Sequence, residues 1–175
     1  MHHDIAERTA TIALRTATSP RRVLDVGCGT GYLLRRLARE YPDCERFEGI
    51  DAAPSMIEAA EGGTDDIRLN FRVGVAEQLP YPDESFDLVV STTSFDHWSD
   101  QQKGLQECRR VLRTGGHLVL VDQFSNWLLP TLALSRRGKA RTQGRANRLL
   151  AAAGFDPVAW HGLYASIIKA VTATA

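Results

Sequence analysis

The sequence predicts an α/β three-layer sandwich: a mostly parallel seven-stranded sheet with an antiparallel C-terminal strand and helices on both faces. Three observations carry this. Strand-like and helix-like segments alternate five times, which is the order of a parallel sheet with crossover helices. A run of closely spaced glycines, Gly27, Gly29 and Gly31, joins the first strand to the following helix. The last two apolar runs are separated only by a short connection near Leu163, too short for a crossover helix, so they pair antiparallel.

Each element follows from local pattern. Residues 4–17 repeat Ile5, Ala6, Thr9, Ile12 and Ala13 at helical spacing, and Ser19-Pro20 stops the helix. Arg22 to Val26 is a short β-branched run, the first strand. Tyr32 to Glu40 is a helix with Leu33, Leu34 and Leu37 on one face, ended by Tyr41-Pro42. Phe47 to Ile50 is the second strand. Pro54 to Glu61 is a helix with proline in its first turn and Gly62-Gly63 beyond its end. Ile67 to Val73 alternates as the third strand, and Phe86 to Val90 is the fourth, followed by a polar loop. Gln101 to Leu112 is a helix closed by Gly115-Gly116; His117 to Val121 is the fifth strand. Gln143 to Ala153 is a helix stopped by Gly154. Val158 to Gly162 and Ala165 to Val171 are the final strands.

A chain of 175 residues suits one domain. Residues 1–21 would form a helix and short cap and residues 22–175 the core. With 43% hydrophobic and 24% charged residues it is neither disordered nor fibrous. Lysine plus arginine equals aspartate plus glutamate, 21 each, so nothing draws the chain generally to nucleic acid or anionic membranes. No apolar run approaches the roughly 20 residues of a membrane span, and the start has no apolar leader segment. Cys28, Cys44 and Cys108 are odd in number and contain no CxxC, which argues against disulfides and zinc and fits a reducing cytoplasm. No metal site is expected, and His2 and His3 are given no role. The stretch Arg136 to Arg148 lacks any acid; a solvated face is its default reading.

The glycine loop, Asp25-Val26-Gly27-Cys28-Gly29-Thr30-Gly31, lies where doubly wound sheets bind nucleotides. Glycines allow a sharp turn and close approach by a ligand. The spacing is GxGxG, not the GxGxxG that seats a pyrophosphate, and Tyr32 stands where that pattern needs glycine. Asp25 aims a carboxylate toward the loop, repelling a pyrophosphate and favouring an ammonium or sulfonium. The second strand ends in Asp51, about 20 residues beyond the loop, where an acid accepts hydrogen bonds from a ribose diol.

Five blocks occur in one order: Asp25 to Gly31; Asp51 with Ser55-Met56; Ala76 to Pro80; Phe86 to Ser91; and Leu112 to Gly116. Together they resemble the class I S-adenosylmethionine-dependent methyltransferases, a Rossmann-like fold, and among them the small-molecule subset that includes ubiquinone and menaquinone methyltransferases. The resemblance runs from about Arg22 to the C-terminus. It implies that Gly27, Cys28, Gly29 and Gly31, with Asp25, line the methionine and ribose end of S-adenosylmethionine, and that Asp51 holds the ribose. It also implies that Ala52 and Met56 pack near the adenine, that Ala76 and Glu77 sit at its edge, and that Ser91 lies near the methionine. S-adenosylhomocysteine would be the product. Where the family usually has an acid before Ala76, this chain has Val75, so adenine recognition would rest on backbone groups or Glu77.

The expected activity is methyl transfer to a small-molecule acceptor. The sulfonium is already activated, so the protein must position the acceptor and exclude water, adding a base only where a proton must leave. His97, in the loop after the fourth strand, is the candidate base, with Asp96 and Asp100 near enough in sequence to orient it. A packing or capping histidine is the competing reading. Trp98 and Phe95 either line an acceptor pocket or close the core; His117 and His161 read as structural, and Cys28 as packing. The apolar segment Trp127 to Leu134 is a lid or core. The short cap leaves the cleft open or completed by a second chain, a homodimer. Two rival functions stand beside this one: an NAD(P)-dependent oxidoreductase, and a methyltransferase-like protein that binds the cofactor without turnover.

Overall fold

The structure, a computed structural model, describes residues 2–124, 142–156, 158–164 and 167–175. Helix α1 (His2–Thr16) leads into strand β1 (Arg22–Val26), helix α2 (Tyr32–Glu40), β2 (Arg46–Asp51), α3 (Pro54–Glu61), β3 (Leu69–Val73) and β4 (Phe86–Thr92). A 3₁₀ turn (Phe95–His97) then precedes α4 (Gln101–Val111), β5 (Leu112–Gln123), α5 (Gln143–Ala152), β6 (Val158–Tyr164) and β7 (Ile168–Thr174). The strands form one sheet in the order β3-β2-β1-β4-β5-β7-β6. The first five are parallel, and β7 runs antiparallel to both β5 and β6.

Period-two alternation sends side chains to two cores, which makes the third layer obligatory. Val23, Leu88, Val90, Val119 and Val121 pack with Ala10 and Ala13 of α1 and with Leu34 and Leu37 of α2. Leu24, Val26, Val89, Leu118 and Leu120 face the other way, against Leu105 and Cys108 of α4 and Ala146 and Leu150 of α5. Each fully buried Val or Leu contributes roughly 1.5–3 kcal/mol of transfer free energy. Helix starts are fixed locally: Asp100 accepts from the Lys103 amide at 3.1 Å, Thr142 from the Arg145 amide at 3.1 Å, and Pro54 occupies the first turn of α3.

The structure moves several boundaries, four of them instructively. β3 begins at Leu69, not Ile67; Ile67 is 94% exposed, because Asp66 accepts from the Arg68 amide and holds a turn there. α4 stops at Val111, and Gly115-Gly116 lie inside β5 instead of capping the helix. They fall where the β4–β5 register shifts, and Gly115 takes a φ of 77° that a side chain would strain. β4 continues to Thr92. The final strand starts at Ile168, later than its apolar run, since the Ile167 amide donates to the Tyr164 carbonyl and closes the turn first. The segment Trp127 to Leu134 and the arginines Arg137 and Arg141 lie outside the described residues; Arg145 and Arg148 are exposed on α5. No described helix is long and apolar enough to cross a membrane.

Candidate active site

A cleft of about 740 Å³ opens at the carboxyl ends of β1, β2 and β4. Strand order reverses here, between β1 and β4, the switch point at which such sheets open a crevice. Its size falls within the range of about 300–1,000 Å³ common for small-molecule sites.

One wall is the glycine loop. The amides of Gly27 and Cys28 both donate to the Ile50 carbonyl, at 2.7 and 3.0 Å, tying the loop to β2. Gly27, Gly29 and Gly31 have φ of 78°, 52° and 75°, and each is glycine for a different reason. A Cβ on Gly27 would collide with the Ser94 side chain; one on Gly31 would strike the Phe71 ring. A Cβ on Gly29 would meet nothing, so the space beside it belongs to the cleft. Gly31 is not part of the cleft wall, contrary to the sequence expectation: it starts α2 and makes room for Phe71.

Asp51 ends β2 facing that wall. One carboxylate oxygen accepts from the Gly29 amide at 2.9 Å and the other from the Ala53 amide at 2.9 Å. Each oxygen keeps capacity for a further donor. Ala52 and exposed Met56 continue the wall, followed by Val75, Ala76 and Glu77. The Glu77 carboxylate accepts from the Asp100 amide at 2.9 Å and so joins this edge to the head of α4.

Asp25, at the end of β1, lines the base of the cleft and is 2% exposed. Among the described residues its Oδ1 has no hydrogen-bond partner. Burial, and then the nearby Asp51 charge, pushes this carboxyl up to about 8. Cys28 also lines the cleft, and burial pushes its thiol far above the ordinary range, which removes it as a nucleophile.

The second wall is the loop after β4. Thr92, Thr93, Ser94, His97, Trp98 and Ser99 line it. Ser91, expected at the cofactor, is fully buried and is not on the described cleft wall, which Thr92 reaches instead. The Thr93 amide donates to the Val121 carbonyl at 2.8 Å, and the Asp96 amide to the buried Asp122 carboxylate at 3.2 Å. Burial, and then the Asp96 charge, raises the Asp122 carboxyl to about 6. His97 is 78% exposed at its side chain, with Nε2 3.4 Å from Asp96 Oδ1. Asp100 does not join it, being committed to capping α4. Trp98 lines the cleft, its indole N–H donating to Ser94 Oγ at 3.1 Å, whereas Phe95 lies wholly in the core.

Helix α1 lies along the remaining side of the cleft. His3 and Ala6 line it, and the His3 ring stacks on Tyr32 with centroids 4.3 Å apart. Glu7 holds α1 to α2, accepting from the Tyr32 hydroxyl at 2.8 Å and the Arg36 guanidinium at 2.9 Å, and both bonds hold its carboxyl below the usual range. His3, Ala6, Tyr32 and Leu33 are wall residues that sequence reasoning missed; Thr92, Thr93 and Ser94 belong to the polar loop after the fourth strand that it placed beside the cleft. His117 and His161 lie off the cleft, each facing a threonine hydroxyl across the β5–β7–β6 strands. Among the described residues no cluster of three His, Cys, Asp or Glu side chains is placed to hold a metal.

Three comparisons bear on this geometry. Residues 24–120 match the family model described as a methyltransferase domain. Over 117 residues the chain is 42% identical to demethylmenaquinone methyltransferase of Deinococcus radiodurans, covering 66% of this chain and 48% of that protein. Over 119 residues it is 38% identical to the Thermotoga maritima protein of the same name, covering 68% of this chain and 51% of that protein. The chain thus spans about half the length of these curated relatives. Among solved structures, the Haloferax volcanii complex between the Trm112 methyltransferase activator and a methyltransferase superposes with a TM-score of 0.85 at 22% identity, covering 99% of this chain and 90% of that one. At that identity the likeness is one of fold.

Proposed function

The chain belongs to the methyltransferase domain family, and on that premise we propose that it transfers a methyl group from S-adenosylmethionine to a small-molecule acceptor. One observation carries the reading over a nicotinamide enzyme of related fold. The described lining of the cleft holds three acidic side chains, Asp51 and Glu77 with the buried Asp25 between protonation states, and no lysine or arginine. Such a lining repels a pyrophosphate and suits a donor bearing a sulfonium and an ammonium.

The residues present fit that donor. Gly27, Cys28 and Gly29 offer a wall without bulk, and the open space beside Gly29 admits close approach. Asp51 is pre-set by two amides to accept from a ribose diol. Ala52, Met56, Val75 and Ala76 give an apolar slot for a flat base. When bound, the sulfonium supplies an activated methyl group, so the protein's remaining work is positional. Helix α1 and Trp98 exclude water from two sides. His97, oriented by Asp96, takes the acceptor proton from the exposed rim of the cleft. One chain suffices for this arrangement, since α1 already caps the cleft; sedimentation showing an active monomer would support that. Three free thiols fit action in a reducing cytoplasm.

Calorimetric titration tests the reading. Heat is expected with S-adenosylmethionine and S-adenosylhomocysteine and none with NADH. A reversed pattern would refute it, and a turnover screen that finds no acceptor despite tight donor binding would leave a binding protein instead of an enzyme. For the base, His97→Ala should lower kcat about 100-fold with the donor Kd unchanged; a change in kcat/KM within twofold removes that role.

A further inference from the structure

Asp25 is the one buried carboxyl in the cleft whose oxygen has nothing to accept from among the described residues. Its neighbours explain why no partner reaches it. In register beside it stand Gly49 of β2 and Val90 of β4, neither of which offers a side-chain donor. The charged groups on the surrounding elements are engaged elsewhere. Arg35 of α2 donates to the Thr30 carbonyl, Glu7 of α1 holds Tyr32 and Arg36, and Asp51 of β2 holds the Gly29 and Ala53 amides. The Cys28 thiol is kept neutral by burial. The field that bears on Asp25 is that of Asp51, of like sign.

A carboxylate in such a place, buried, unpaired and facing another negative charge, is strongly disfavoured, and the group keeps its proton instead. A cation arriving in the cleft beside the Asp25 carboxyl reverses the balance. Given that the cleft takes a cationic adenosyl donor, we propose that Asp25 is a proton-exchanging binding residue: neutral in the free protein, it ionises as the donor's cationic end arrives and passes its proton to solvent. The elevated carboxyl value, about 8, agrees with this. Donor affinity is then linked to pH: the Kd falls about tenfold per pH unit up to about 8 and levels off above it.

The test is calorimetry with S-adenosylmethionine at pH 6.5 in two buffers of different ionisation enthalpy. At that pH the donor's own amino group, with an ordinary value of about 7.7–8.0, is already protonated, so any proton released comes from the protein. About one proton per bound donor is expected from the wild type, none from Asp25→Asn, and an unchanged count from His97→Ala. Binding without proton release, or release that persists in Asp25→Asn or vanishes in His97→Ala, overturns the proposal and leaves the donor reading standing. No heat at all sinks the donor reading and the proposal together. Circular dichroism shows whether Asp25→Asn folds; if it does not, the wild-type proton count and the slope of Kd with pH decide the matter.

Discussion

The two walls of the cleft are built on different principles. The wall after β1 is backbone: glycine amides bonded to Ile50 and to Asp51, with conformations only glycine adopts cheaply. The wall after β4 presents side chains to the cleft, and its backbone is anchored by partners distant in sequence: the Val121 carbonyl for the Thr93 amide, Asp122 for the Asp96 amide, and the glycine loop itself against Ser94. The contrast teaches which half of the site is free to vary. A backbone cradle admits few sequences, whereas the opposite wall changes shape with any residue that keeps its anchors. On the proposed function, the second wall is where acceptor choice would reside.

Gly27 is where the two walls touch, so Gly27→Ala should break the comparison most severely. The new Cβ collides with Ser94 and the φ of 78° is strained, so donor affinity should fall at least 100-fold, about 3 kcal/mol, and Tm with it. Gly29→Ala sharpens the point: it clashes with nothing in the free protein, so Tm should drop by only a few degrees while donor binding weakens markedly. Equal losses of Tm in the two variants would show that the walls are not in contact. Asp51→Ala comes next, with donor affinity down about 10- to 100-fold by calorimetry, since two amides and the sugar lose one acceptor. Trp98→Phe deletes one hydrogen bond to Ser94 and should raise the acceptor KM about fivefold, roughly 1 kcal/mol, leaving the donor Kd unchanged.

The smallest effect is on stability. Asp25 has a folded value raised from 3.8 to about 8, so the native state binds more protons than the unfolded chain between those values. Its contribution is complete below about pH 4 and is lost as pH rises through 8. Asp25→Asn should flatten that decline and raise Tm by about 2–6 °C at pH 8, read by thermal scans across pH. A variant with an unchanged pH profile would show that the carboxyl titrates normally.

The same contrast governs what the sequence makes legible. Asp25, Gly27, Gly29 and Asp51 could be read because a short motif and a fixed spacing specify a turn and an acid at the end of the next strand, all local facts. Parallel order, the switch point and the antiparallel finish followed from element alternation and one short connection. Gly115-Gly116 misled because two glycines after a helix resemble its cap, when a register shift against β4 recruits them into β5. Ser91 reads as a site residue because it follows the run Phe86 to Val90, whereas β4 runs on to Thr92 and it is Thr92 that reaches the cleft. His3 and Tyr32 left no trace in the sequence, since their meeting depends on how α1 lies across α2.

The two ends of the described fold lie at opposite poles. α1 brings His3 to the mouth of the cleft, while Ala175 exchanges hydrogen bonds with Gly115 and Gly116 at the far end of the sheet. A tag or fusion partner joined ahead of α1 would begin beside the cleft, whereas the same appendage joined after Ala175 would leave from the opposite edge of the sheet.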